Sequence, residues 1–152
     1  MHHLARAKPP AIEQEGVTMS LLHPSTRVSA HCDLPCGVYD PAQARIEAQS
    51  VLAMQEKYQA NEDPVFRTRA VMIIGERAEL AKEHLWVLWT DYFKPEHVEK
   101  YPQLHDLFWR ATKAAGAGGA KGSVDPESGK KLLALIDEVA GIFWETKGGK
   151  PA

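Results

Sequence analysis

The sequence predicts an all-α fold: an antiparallel four-helix bundle preceded by a short N-terminal segment that holds both cysteines of the chain. Three observations predict it. Asp40-Pro41, Asp63-Pro64 and Asp125-Pro126 each place an N-cap acceptor before a proline at the first helical position, where the missing N–H costs nothing and the fixed φ suits the helix. Apolar residues at helical spacing follow each pair. No segment alternates apolar and polar residues with β-branched enrichment, so no sheet is expected.

Residues 1–30 read differently from the rest. Pro9-Pro10, scattered charges and short apolar stretches predict no packed structure there. Val28-Ser29-Ala30 has the small residues of a signal-peptidase site, but no hydrophobic stretch precedes it. Met19-Ser20-Leu21-Leu22 is interrupted at once by His23-Pro24 and then Arg27.

The first helix follows Asp40-Pro41, with Ile46, Val51, Met54 and Tyr58 as its expected stripe. The second runs from Pro64 to about Asp91 and carries Phe66, Ala70, Ile73, Ile74, Ala78, Ala81, Leu85 and Leu88. At 1.5 Å per residue it is ~40 Å long, long enough to outrun its bundle. Trp86 and Trp89 near its end suit either a partner subunit or the core. Lys94-Pro95 and Tyr101-Pro102 bracket a short helical turn. A further helix runs from about Pro102 to Ala115 on Leu104, Leu107, Phe108 and Ala111, and Gly116-Ala117-Gly118-Gly119 is expected to stop it. The last helix carries Leu132, Ile136, Val139 and Phe143. Four helices with short connections give the antiparallel bundle.

Composition narrows the function. A chain of 152 residues, 44% hydrophobic and 25% charged, is one ordinary domain. A formal net charge of −2 argues against a nucleic-acid or anionic-membrane partner. No run of eighteen apolar residues is present, so no membrane span is expected. Two cysteines, Cys32 and Cys36, are too few for a disulfide framework.

The distinctive stretch is His31-Cys32-Asp33-Leu34-Pro35-Cys36-Gly37-Val38-Tyr39-Asp40. Its two thiols admit three readings: metal ligands, a redox dithiol, or incidental residues. A thioredoxin-like centre wants two residues between its cysteines and an α/β fold, and neither condition holds. A structural zinc wants four protein ligands, whereas His84, His97 and His105 lie far off in sequence.

A cut between Ala30 and His31 changes the chemistry. The His31 α-amine then becomes a donor, and with the Cys32 amide nitrogen it closes a five-membered chelate ring. The same amide nitrogen and the Cys32 thiolate close a second. Cys36 can return across the Pro35 turn as a fourth donor, and the His31 imidazole can reach an axial position. Two nitrogens and two thiolates in a plane suit Ni(II) or Cu(II) and match tetrahedral zinc poorly.

With these residues, the segment His31 to Tyr39 resembles the nickel hook of the nickel-dependent superoxide dismutases. Asp40–Ala48, Arg77–Lys82, Asp91–Pro95, Lys100–Pro102 and Ile142–Lys147 extend the likeness, which covers His31 to Lys147. The resemblance implies a four-helix bundle at 31–152 with its hook at 31–39. It also implies a leader at 1–30, removed by a dedicated peptidase that cuts between Ala30 and His31, and a homohexamer with one nickel per subunit. The implied reaction is disproportionation of superoxide to dioxygen and hydrogen peroxide. The implied ligands are the His31 amine and imidazole, the Cys32 amide nitrogen and thiolate, and the Cys36 thiolate. Glu47 and Arg77 match the residues that hold the axial imidazole, and Tyr39 matches the one that guards the metal. Asp33, Tyr92 and Lys94 match residues at the mouth, where a lysine attracts an anion.

Family leaders are short, so Met19 competes with Met1 as the start. With no secretory stretch, the chain is expected in the cytoplasm. The competing readings are a nickel or copper storage or delivery protein without catalysis, and a thiol redox protein using Cys32 and Cys36.

Overall fold

In the computed structural model, residues 36–149 are described. They form α1 (Ala42–Gln59), α2 (Pro64–Val87), a π-helical turn (Leu88–Tyr92), α3 (Pro95–Lys100), α4 (Leu104–Gly118) and α5 (Pro126–Thr146). Among the described residues there is no strand, and no helix is long and apolar enough to cross a membrane. Helix α1 packs on α2 and α5, and α4 packs on the same two, which closes the four long helices into the expected bundle.

The aspartate caps form. Asp63 accepts from the Val65 and Phe66 amides at 3.4 and 2.9 Å, and Asp125 accepts from Glu127 N at 3.0 Å. Asp40 accepts from Ala42 N at 2.8 Å, but there Pro41 itself is the capping position and the helix proper begins at Ala42. Each cap satisfies an amide that the first helical turn leaves without a partner, and contributes ~1 kcal/mol.

The buried faces follow the sequence on three helices and depart from it on α1. Leu104, Leu107, Phe108 and Ala111 of α4 are buried, as are Leu132, Ile136, Val139 and Phe143 of α5. On α1 the core face is Ala44, Ala48, Val51 and Gln55, while Ile46 is 58% exposed. Ile46 stands two residues from both alanines, about 200° around the helix, and so lies on the opposite face. A search for large apolar residues passes over a face built from two alanines and a glutamine. Gln55 is fully buried, and its amide donates to Ser123 O at 3.0 Å and Ser128 Oγ at 2.9 Å, which ties α1 to the loop before α5 and to the first turn of α5 itself.

Glycines carry two of the closest helix contacts. Helix α4 runs on through Gly116 to Gly118 rather than stopping near Ala115. A Cβ at Gly118 would lie 3.3 Å from Ile74 and 3.4 Å from Ala78 and Val51, so the missing side chain lets the last turn of α4 close on α1 and α2. At Gly129 a Cβ would run into Gln55 Oε1 and come within 3.0 Å of the Leu52 Cα. Because the second obstacle is backbone, Gly129→Ala is expected to destabilise by about 1–3 kcal/mol, which a denaturant midpoint measures.

Helix α2 ends earlier than its periodicity suggests. After Val87 the chain widens into the π turn, closed by the Phe93 amide donating to Leu88 O at 3.0 Å. Of the two tryptophans here, Trp89 packs on the core, 5.0 Å from the Phe108 ring, and Trp86 is 46% exposed.

Candidate metal centre

The described chain begins at Cys36, in the stretch that leads into α1. Gly37 has φ +71°, a left-handed conformation that glycine adopts without strain. This turn brings the Val38 amide back onto the preceding side chain, where it donates to Cys36 Sγ at 3.4 Å. Cys36 is exposed, and a sulfur that accepts a backbone N–H suits a metal-binding thiolate. His31, Cys32 and Asp33, together with the Ala30–His31 bond, lie outside the described residues. Among the described residues no three His, Cys, Asp or Glu side chains form a group able to hold a metal.

Two pairs of the predicted site residues meet in space. Glu47 in the second turn of α1 and Arg77 in the middle of α2 are thirty positions apart, yet Arg77 Nη1 donates to Glu47 Oε2 at 3.2 Å. Antiparallel packing of α1 on α2 makes that contact. The Glu47 side chain is only 17% exposed and that of Arg77 35%. The second Arg77 nitrogen donates to Glu76 at 3.0 Å, so one guanidinium serves two carboxylates and is held in plane. Among the described residues the only group that binds the Glu47 carboxylate is Arg77, through Oε2.

Tyr39 and Tyr92 form the second pair, with ring centroids 5.6 Å apart. Tyr39 is half-buried against the core just before α1, and Tyr92 closes the π turn. Lys94 is exposed at the start of α3. Its backbone N–H donates to His97 Nδ1 at 3.1 Å, which orients the imidazole, and the His97 ring stacks on Tyr92 at 5.7 Å and 18°. The Lys94 side chain joins no ion pair among the described residues.

Phe143, expected only as a core residue of the last helix, lies 4.5 Å from the Tyr92 ring. The surroundings of Tyr92 also include residues to which the sequence assigned no role: Lys147 Nζ sits 5.0 Å from the ring centroid, a cation–π contact worth ~0.5–1 kcal/mol at an exposed site. The Tyr92 hydroxyl meets Thr146 Oγ1. A signal for Lys147 was present, since it stands four residues after Phe143 and shares its helical face. Nothing in the sequence links that face to Tyr92.

A family profile described as nickel-containing superoxide dismutase matches residues 26–147. The chain is 62% identical over 127 residues to the superoxide dismutase [Ni] of Streptomyces coelicolor, covering 84% of this chain and 95% of that protein. Its counterpart from Streptomyces seoulensis is 61% identical with the same coverage. The solved structure of native nickel superoxide dismutase superposes with a TM-score of 0.73 at 62% identity, over 77% of this chain and 99% of that one. The profile begins five residues ahead of His31 and runs to Lys147, so it takes in the cysteine segment, both side-chain pairs and all four long helices. This chain belongs to the nickel-containing superoxide dismutase family.

Proposed function

We propose that the chain is a nickel superoxide dismutase that becomes competent when residues 1–30 are removed. Two superoxide anions and two protons give dioxygen and hydrogen peroxide. The observation that carries this reading over metal storage is the half-buried Glu47–Arg77 pair. A store needs ligands alone, whereas a carboxylate clamped by a guanidinium is a device for fixing the tautomer and orientation of a ligating imidazole. Arg77 engages Glu47 through Oε2, which leaves Oε1 open to accept from a ligating imidazole.

The donor set fits nickel. The His31 amine and imidazole, the Cys32 amide nitrogen and thiolate, and the Cys36 thiolate would hold the ion, and the amide donated to Cys36 Sγ is consistent with a bound thiolate. Bound there, nickel supplies one-electron redox chemistry through a Ni(III)/Ni(II) couple, whose potential two thiolates and an amidate lower into the range superoxide can use. The protein's own groups do the rest. Arg77 holds Glu47, Glu47 would hold the His31 imidazole, and Tyr39 and Tyr92 would narrow the approach. Asp33 and Lys94 would stand at the mouth, where the lysine charge would attract an anion. The homohexamer, the leader peptidase and a cytoplasmic location complete the proposal.

The test is dismutase activity of the chain cut after Ala30 and loaded with nickel, together with its electron paramagnetic resonance spectrum. A rhombic Ni(III) signal and superoxide turnover are expected; bound nickel with neither would make it a store. His31→Gln is expected to lower turnover by at least the ~10–100-fold that loss of an outer-sphere partner costs. Unchanged turnover in that variant would remove the His31 imidazole from the mechanism.

A further inference from the structure

The Thr146 hydroxyl makes two short hydrogen bonds at the end of α5. It donates to the Phe143 carbonyl at 2.6 Å, the back-bond available to a threonine in a helix, and it meets the Tyr92 hydroxyl at 2.5 Å. A hydroxyl carries one proton and two acceptor lone pairs. With the Thr146 proton committed to Phe143, the proton in the second bond belongs to Tyr92. Tyr92 is therefore the donor to Thr146, and its oxygen has only lone pairs left to offer. Its ring is held in that pose by Phe143 at 4.5 Å, Phe93 at 5.0 Å and the stacked His97.

We propose that Thr146 is a positioning residue that takes up the Tyr92 hydroxyl proton and leaves the phenol no donor to turn towards the mouth, so that it does not hold small anions there. The inference rests on the dismutase reading, in which Tyr92 borders the substrate's path. Superoxide is an anion that seeks hydrogen-bond donors. A phenol whose proton is turned into α5 gives it none, while the Lys147 ammonium above the same ring supplies attraction without a directed phenolic bond. The mouth then draws monovalent anions in without retaining them on Tyr92, and proton delivery falls to other groups.

Thr146→Val removes both hydrogen bonds and keeps the side chain's shape, whereas Thr146→Ser keeps the hydroxyl. In the metal-free chain, Raman difference spectra against Y92F isolate the Tyr92 phenol, and the intensity ratio of its Fermi doublet separates a donor from an acceptor. Wild type and T146S are expected to give the donor signature, and T146V to lose it. In the cleaved, nickel-loaded protein, azide serves as the anion probe. It is expected to inhibit T146V about three- to tenfold more tightly than wild type, the worth of one hydrogen bond. T146S should match wild type, and the T146V/Y92F double variant should lose the gain. An unchanged doublet in T146V, or azide inhibition that does not move, overturns the proposal. A wild-type protein that binds nickel but turns over no superoxide overturns the dismutase reading instead, and the metal-free Raman comparison still decides the role of Thr146.

Discussion

Cutting the chain between Ala30 and His31 is expected to switch on nickel binding and superoxide turnover together. In the uncut chain the His31 nitrogen is an amide, whose lone pair is delocalised into the carbonyl and which must lose a proton to bind a metal. After the cut it is an amine, and the first five-membered chelate ring closes without that cost. The expected result is weak nickel binding and no measurable dismutase activity in the full-length protein, with both restored by cleavage. Nickel titration and a superoxide assay on the two forms measure it. Full activity in a chain whose Ala30–His31 bond is intact would refute the amine ligand, and with it the purpose assigned to residues 1–30.

Phe143→Ala is expected to destabilise the bundle by about 3–5 kcal/mol, a loss of roughly 10 °C in Tm. Phe143 is fully buried in the main core cluster and is the nearest ring to Tyr92. Truncation leaves a cavity that the rigid helices around it fill only in part. It also removes the wall against which the Tyr92 ring rests, so turnover should fall even at temperatures where the variant stays folded. Thermal unfolding and kcat/KM on the same sample separate the two effects. A variant that loses stability but keeps full turnover would show that Tyr92 does not depend on this wall.

Much of the bundle was legible because its signals are local. An aspartate before a proline caps a helix through atoms two or three residues away, and Leu132, Ile136, Val139 and Phe143 share a face by spacing alone. The exceptions have a common cause. Ala44, Ala48 and Gln55 are buried because a neighbouring helix lies close to them, and the end of α4 is set by the absence of a Cβ at Gly118 against Ile74 and Val51. Both depend on packing between helices, which periodicity within one helix does not encode. The site divides the same way. Cys36 announces itself by its spacing from Cys32, whereas Tyr39 reads as a packing residue, and Glu47 and Arg77 as ordinary surface charges, until the family likeness picks them out. The C-terminal end of α5 contributed its block to that likeness, but its contact with Tyr92 exists only in three dimensions.

The π turn at Leu88–Tyr92 makes the length of that stretch matter more than its composition. A π turn holds one residue more than the α-helical turn it replaces, and each residue accounts for about 100° of helix rotation. Thr90 and Asp91 are exposed, and exchanges there leave the frame of the turn intact. Removing either would let the α-helix close through the gap and swing Tyr92 and Phe93 by roughly a quarter turn. Phe93 would leave the core, and Tyr92 would leave Tyr39, His97 and Thr146 at once. Lineages carrying this site should therefore vary freely in the letters of the segment while its number of residues stays fixed.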